Sequence, residues 1–144
     1  MKYLVALLSL VSTCVVAQVE IQDPWSRATP PGAKVAAGYL TIVNKSASPD
    51  RLVGASSPAA ARVETHVSEK QGDVLRMREV KGYEIPAQGS FELKPGGAHL
   101  MLVDIKQPFK EGEKIPLVLR FQNGGEVKTE LPVRALGAAK AHSH

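Results

Sequence analysis

The chain has 144 residues, of which 22% are charged and only 5% are aromatic, and its formal net charge is +4. This length fits one domain with an adequate hydrophobic core. A nucleic-acid-binding surface combines a clustered basic stripe with stacking rings, and the scattered basic residues and scarce aromatics of this chain exclude it. The composition is that of a small, weakly cationic domain.

The first element in chain order is an export signal, predicted over residues 1–17. Lys2 supplies the positive start, Tyr3–Leu10 form an apolar stretch, and Ala17 fits the small-residue rule for cleavage. The apolar run is shorter than the roughly 20 residues that a membrane span requires. We therefore expect cleavage of the signal, export, and no stable membrane insertion afterwards.

The single cysteine, Cys14, lies inside the predicted signal. A mature chain that begins at Gln18 has no cysteine, which excludes disulfides, zinc–thiolate clusters and thiol catalysis. Cys14 also offers a lipoprotein as an alternative, but Thr13 is large for the residue before a lipidated cysteine. The sequence thus favours cleavage after Ala17, followed by one domain over residues 18–134.

Nine short β-strands are predicted after the signal, separated by turns rich in glycine, proline and asparagine. Many short strands at roughly even spacing are typical of an antiparallel sandwich or barrel, so the predicted fold class is all-β. Residues 135–144 are predicted to form a flexible tail. The predicted strands are Val19–Gln22, Ala36–Val43, Asp50–Ala55, Arg62–Ser68, Val74–Val80, Ser90–Leu93, His99–Ile105, Ile115–Gln122 and Glu126–Val133.

The predicted strands contain two histidines and two methionines: His66, Met77, His99 and Met101. Taken singly, each has an ordinary structural interpretation, since methionine fills gaps in cores and an exposed histidine is common. Met77 shares a strand face with Leu75, which favours its burial in the core. Taken together, the four residues form an uncharged set of imidazole and thioether donors, which suits Cu(I) and is poor for hard ions.

This donor set fits a copper carrier better than an enzyme. A blue-copper site needs a cysteine thiolate with two histidines, and catalytic zinc usually needs three histidine or carboxylate ligands. A redox enzyme must reach Cu(II) during turnover, and two thioethers disfavour that state. We therefore predict no enzymatic activity. The alternatives are a copper-dependent redox enzyme and a metal-free exported β-sandwich that acts as a binding module.

The spacing of the four residues, H-x10-M-x21-H-x-M, resembles the signature of the periplasmic PCuAC-type copper chaperones. The segments DPWSRATPPGAKVAAGYLTIVN (23–44) and YEIPAQGSFELKPGGAHLMLVDIKQPFKEGEKIPLVLRF (83–121) also resemble this family. The resemblance implies a periplasmic protein with a cupredoxin-like antiparallel Greek-key β-barrel. It also implies delivery of copper toward the binuclear site of cytochrome c oxidase subunit II, with Sco-type copper proteins as partners. The implied Cu(I) ligands are His66, Met77, His99 and Met101.

The predicted tail ends in two further histidines, His142 and His144. Nitrogen and oxygen donors suit Cu(II). One hypothesis is that the tail gathers Cu(II), which is then reduced and passed to the methionine-containing site. The other is a flexible end whose histidines have no role, and the sequence leaves both open.

Overall fold

The computed structural model describes residues 18–136, which contain ten β-strands and no helix. No stretch in this part of the chain forms an apolar helix of membrane-spanning length. The predicted signal and the tail histidines His142 and His144 lie outside the described residues. The strands are β1 (Val19–Arg27), β2 (Val35–Asn44), β3 (Asp50–Ser56), β4 (Ala60–Gln71), β5 (Val74–Glu79), β6 (Tyr83–Ile85), β7 (Ser90–Leu93), β8 (Ala98–Ile105), β9 (Lys114–Phe121) and β10 (Gly125–Arg134).

Seven of these strands close into a barrel in the order β4-β8-β2-β1-β10-β9-β3, with β3 pairing back to β4. The remaining strands, β5, β6 and β7, pair with β4, β3 and β2, respectively. The predicted all-β, cupredoxin-like barrel is confirmed. One pair departs from the antiparallel expectation, because β1 and β10 run parallel. Parallel neighbours need a long connection, and the whole intervening chain provides it between the first and the last strand.

The first strand is longer than predicted because it continues through a β-bulge. The β1–β2 register shifts between Gln22 and Trp25, and Asp23 adopts a positive φ of 49° at this point. A bulge tolerates Pro24, which has no backbone N–H to donate to a ladder. The bulge carries β1 on to Arg27, so that Trp25 and Arg27 belong to the sheet.

All nine predicted strands are present, and the structure adds one, β6. This strand has three residues and lies between Gly82 and Pro86, so it is too short to show a periodic pattern. Its first residue, Tyr83, is buried in the core. Strand β6 matters for function because Tyr83 contacts the two strands that carry His66 and His99.

Alternation along β8 separates the barrel's core from its outer surface. Leu100 and Leu102 have no exposed surface and belong to the main hydrophobic core. Successive side chains of a strand point to opposite faces. His99 and Met101 therefore point to the outer face of the barrel.

A buried carboxylate, that of Asp50, holds the turn between β9 and β10. It accepts hydrogen bonds from the backbone N–H groups of Arg51 (2.7 Å), Asn123 (2.9 Å) and Gly124 (2.9 Å).

Asp50→Ala leaves these donors without their acceptor and is expected to lower the free energy of unfolding by about 2 kcal/mol. Urea unfolding measures the change. The control is Asp73→Ala in the exposed β4–β5 turn, expected to change it by less than about 0.5 kcal/mol. Equal losses in both variants would contradict this role.

Candidate metal centre

The two histidines of the predicted site face each other across neighbouring strands. His66 on β4 is the direct cross-strand partner of His99 on β8, and the two ring centroids lie 5.7 Å apart. Directly opposed residues of an antiparallel pair place their side chains on the same face of the sheet. Both rings therefore lie on the outer face of the barrel.

The methionines lie on this same face, one on each side of the histidine pair. Met101 is two residues along β8 from His99, the partner of His66. On its other side, β4 pairs with β5, where His66 is the partner of Glu79. Met77 lies two residues before Glu79 on that strand. Each methionine is thus a diagonal neighbour of His66, a relation that separates Cβ atoms by about 7–8 Å and suits long side chains. The register therefore brings all four predicted residues to one face of β5, β4 and β8.

Each histidine ring has one nitrogen next to an oxygen that can only accept a hydrogen bond. Nε2 of His66 donates to Oε2 of Glu64 at 2.8 Å, and Nδ1 of His99 donates to the carbonyl oxygen of Gly97 at 3.1 Å. In a neutral ring the other nitrogen then carries a free lone pair. These nitrogens, Nδ1 of His66 and Nε2 of His99, are buried and have no hydrogen-bond partner among the described residues. When both rings are neutral, the arrangement therefore places two nitrogen lone pairs on one face.

The carboxylate of Glu64 fixes the orientation of the His66 ring. The Arg62 guanidinium, whose Nε lies 2.7 Å from Oε1, and then the hydrogen bond from His66 hold the pKa of Glu64 below its usual range. Glu64 is therefore ionised at neutral pH. Metal-binding histidines commonly donate their second N–H to a carboxylate or a backbone carbonyl, which fixes the ring and raises its basicity. Both rings show this pattern.

Burial lowers the pKa of His99, and the proximity of His66 lowers it further, while the hydrogen bond to Gly97 opposes the shift. His99 is thus neutral at neutral pH. A lowered pKa in the folded state means that the unfolded chain, with a His pKa of about 6.5, binds the proton more readily. The contribution of His99 to the stability of the copper-free protein is expected to be fully present above about pH 6.5. It is lost as the pH decreases through the pKa of His99 in the folded state.

Urea unfolding of the copper-free protein between pH 5 and pH 8 checks this dependence. The matched variant is His99→Asn, whose side-chain amide can still donate to Gly97 but does not titrate. Its stability is expected to vary less over the same range. If the stability of His99→Asn depends on pH as strongly as that of the unaltered protein, His99 is not the source of the pH dependence.

Exposure differs sharply among the four residues. The His99 residue is 3% exposed, whereas Met77 is 59% exposed. The expectation that Met77 lies in the core is wrong, because β5 pairs only with β4 at the edge of the sheet and all six of its residues are exposed. The site therefore combines a buried imidazole with an accessible thioether.

Tyr83 supports the histidine pair from the core side. Its hydroxyl lies 2.6 Å from the carbonyl oxygen of His66 and 2.7 Å from that of His99, and its single proton is shared between them. Burial raises the pKa of Tyr83 to about 12, so the hydroxyl keeps its proton at neutral pH. The contact ties β4 and β8 together at the two residues that carry the rings.

The remaining polar residues do not form a metal site of their own. Within residues 18–136, no group of three or more His, Cys, Asp and Glu is placed to hold a metal ion. A centre built on the two histidines thus needs other donors. Met77 and Met101 are the soft donors on the same face.

Sequence reasoning missed two supporting residues, Glu64 and Tyr83. Glu64 precedes His66 by two residues, and that spacing on a strand places both side chains on one face. This was the signal available in the sequence. The sequence contains no such signal for Tyr83, because its proximity to His66 and His99 depends on β6, which no sequence pattern predicts.

The fold has close structural relatives. The copper-bound PCuAC domain from PmoF2 matches with a TM-score of 0.73 and 30% identity, over 85% of this chain and 97% of that domain. CuI-DR1885 from Deinococcus radiodurans, solved in solution, matches with a TM-score of 0.63 and 30% identity, over 86% of this chain and 81% of that protein. The fold and the sequence together define a PCuAC-type protein.

The family follows from the sequence match. Residues 19–133 match the family described as "Putative lipoprotein LpqE-like", and the chain belongs to this LpqE-like, PCuAC-related family. A relative described as "Putative lipoprotein Lxx21020", from Leifsonia xyli subsp. xyli, is 33% identical over 122 residues, which are 84% of this chain and 72% of the relative. The resemblance identified in the sequence is confirmed at the level of the family.

Proposed function

We propose that this protein is an exported copper chaperone that binds one Cu(I) ion through two nitrogens and two sulfurs. The nitrogens are Nδ1 of His66 and Nε2 of His99, and the sulfurs are those of Met77 and Met101. The observation that carries the proposal is a pair of buried ring nitrogens that have no hydrogen-bond partner among residues 18–136 and share one face with both methionines. Neutral imidazole and thioether donors suit Cu(I).

Two features of the site favour a carrier that gives copper up again. Thioethers hold copper less tightly than thiolates, and they cannot be lost to disulfide formation in an oxidising compartment. Met77 is exposed on an edge strand, so an incoming ligand from another protein can replace it first. Copper then leaves by stepwise exchange of ligands rather than by escape into solution. No enzymatic step is needed for this function.

Titration with Cu(I) in the presence of a competing chelator tests the proposal. We expect one Cu(I) per chain, with much weaker binding of Cu(II) at the same residues. Failure to retain Cu(I) against a moderate competitor would favour the metal-free binding module. Sustained superoxide or thiol oxidation by the copper-loaded protein, abolished by Met101→Ala, would favour the redox enzyme.

The acceptor that we propose is the binuclear copper site of cytochrome c oxidase subunit II, with Sco-type proteins as partners in the same assembly. The support is the family relationship and a donor set that can release Cu(I). Mixing the Cu(I)-loaded protein with the copper-free soluble domain of subunit II, followed by separation, measures the transfer. Copper that stays on this protein, with and without a Sco-type protein present, would contradict this acceptor.

Export is proposed from the signal over residues 1–17 and from the relatives' description as lipoproteins. The domain then covers 18–134, and the compartment is the periplasm. The mass of the exported protein distinguishes the two routes of processing. A first residue of Gln18 supports cleavage of the signal, whereas a lipid on Cys14 would replace it with an anchored form.

The tail histidines, His142 and His144, are proposed as a separate, weaker site for Cu(II). Two imidazoles, two residues apart, supply nitrogen donors that suit this ion. A variant that ends at Gly137 is expected to lose this Cu(II) binding and to keep its Cu(I) site. Equal Cu(II) binding by the shortened and full chains would show that the tail has no such role.

A further inference from the structure

Next to the candidate metal centre, a second group of side chains occupies the outer face: Trp25, Arg27, Tyr39 and Arg134, called here the arginine–tryptophan cluster. Trp25 on β1 and Tyr39 on β2 are cross-strand partners, and their ring centroids lie 4.6 Å apart. Both are buried, with Trp25 only 2% exposed, yet neither belongs to the hydrophobic core inside the barrel. These aromatics are therefore covered by something other than the core.

Two arginines provide that cover. The guanidinium carbon of Arg134 lies 4.7 Å from the ring centroid of Trp25, and that of Arg27 lies 5.6 Å from it. The two arginines are also partners in the parallel pairing of β1 with β10. Two like charges held side by side repel each other. The stacking on Trp25 offsets part of this repulsion.

Neither arginine has a counter-charge in the part of the chain that the structure describes. The ion pairs within residues 18–136 involve other side chains. In addition, Nε of Arg27 and Nη1 of Arg134 are buried and find no hydrogen-bond partner among the described residues. Buried donors are nearly always satisfied in folded proteins, so two of them on paired cations indicate a ligand that supplies acceptors.

We propose that the arginine–tryptophan cluster binds a side-chain carboxylate of the protein that exchanges copper with this one. A guanidinium presents its donors as a planar fork that matches the two oxygens of a carboxylate, and such charge-assisted bonds are short and strong. A carboxylate between Arg27 and Arg134 neutralises the like charges and, once the guanidinium groups shift to admit it, accepts hydrogen bonds from Nε of Arg27 and Nη1 of Arg134. The net charge, +4 for the whole chain and +3 once Lys2 is removed with the predicted signal, also favours an acidic partner.

The position of the cluster assigns the carboxylate to a copper partner, and to that extent the inference depends on the proposed function. Ala37 on β2 is the cross-strand partner of Met101. On β1, Ser26 pairs with Gly38 of β2. Extending this antiparallel register by one residue places Arg27 opposite Ala37. Arg27 is therefore two strands from Met101 on the same face, at about 10 Å. A protein that reaches Met101 to take copper also covers Arg27.

The fluorescence of Trp25, the only tryptophan of the chain, reports binding directly. The probe is acetyl-tetra-aspartate amide, added to the copper-free full chain, with acetyl-tetra-asparagine amide as the uncharged control. We expect a saturable change with the aspartate peptide that weakens as salt is added, and no change with the asparagine peptide. Arg27→Gln and Arg134→Gln are each expected to weaken binding about tenfold. Arg27→Lys keeps the charge but loses the planar fork of donors, so its affinity for the peptide is expected to lie between those of Arg27→Gln and the unaltered protein.

Arg120→Gln is the matched control, because it removes the same charge from β9, and Arg120 does not stack on Trp25. Its peptide binding is expected to equal that of the unaltered protein. Unchanged binding in both Arg27→Gln and Arg134→Gln would overturn the proposal, as would tighter binding of inorganic phosphate than of the peptide. A third outcome would also overturn the proposal. If a chain that ends at Leu136 shows altered Trp25 fluorescence without any peptide, the tail of this protein, and not a partner, occupies the cluster. Cu(I) affinity, expected to be equal in all arginine variants, tests the proposed function separately.

Discussion

Replacing Met101 by leucine is expected to lower the affinity for Cu(I) by more than about 100-fold while the fold is retained. Removal of a donor atom costs more than loss of an outer-shell hydrogen bond, for which roughly 10–100-fold is typical. Leucine resembles methionine in volume, and such exchanges usually change stability by less than about 1.5 kcal/mol. Competition with a Cu(I) chelator measures the affinity, and urea unfolding of the copper-free protein measures the stability.

The matched control for this variant is Val103→Leu. Val103 lies two residues further along β8 on the same outer face, so it tests the effect of repacking that face without removing a donor. Its Cu(I) affinity is expected to equal that of the unaltered protein. If Met101→Leu and Val103→Leu bind Cu(I) alike, the Met101 sulfur is not a ligand.

Replacing Glu64 by alanine is expected to lower the affinity for Cu(I) by about 10–100-fold, although Glu64 is not itself a ligand in our account. The carboxylate accepts a hydrogen bond from Nε2 of His66 at 2.8 Å, which orients the ring and, in its neutral form, places the lone pair on Nδ1. Without it the ring can rotate and exchange tautomers. Glu64→Gln, which retains an acceptor oxygen but loses the charge, is expected to cause a smaller loss.

Glu79→Gln is the control for the effect of charge alone. Glu79 is the cross-strand partner of His66 on β5, so it lies on the same face, but it makes no hydrogen bond to the His66 ring. Its Cu(I) affinity is expected to change little. An equal loss in Glu64→Gln and Glu79→Gln would show that general electrostatics, and not the hydrogen bond, accounts for the effect.

The sequence predicted the barrel strands and the four candidate ligands for different physical reasons. Strands such as β9 bury every second residue, and that alternation is local and can be read directly. His66 and Met77 lie in separate strands, so their nearness depends on the register of β4 with β5. The shared donor chemistry of the four residues, and then their spacing as in a known family, indicated that they belong together.

The features that the sequence did not predict depend on contacts between distant segments. The ring nitrogen left free on His99 is determined by the carbonyl of Gly97, and a backbone contact of this kind has no sequence pattern. The exposure of Met77 follows from the edge position of β5, although its place on the same strand face as Leu75 favoured burial. The pairing of Arg27 with Arg134 joins the first and last strands, in the one parallel pair of the barrel.

X-ray absorption spectroscopy of the Cu(I)-loaded protein is the sharpest test of the proposed ligand set, because it identifies the atoms bound to copper. We expect a cuprous edge with both nitrogen and sulfur neighbours, and a smaller sulfur contribution in Met77→Leu and in Met101→Leu. A copper ion surrounded only by nitrogen and oxygen, or a sulfur signal unchanged in both variants, would contradict this ligand set.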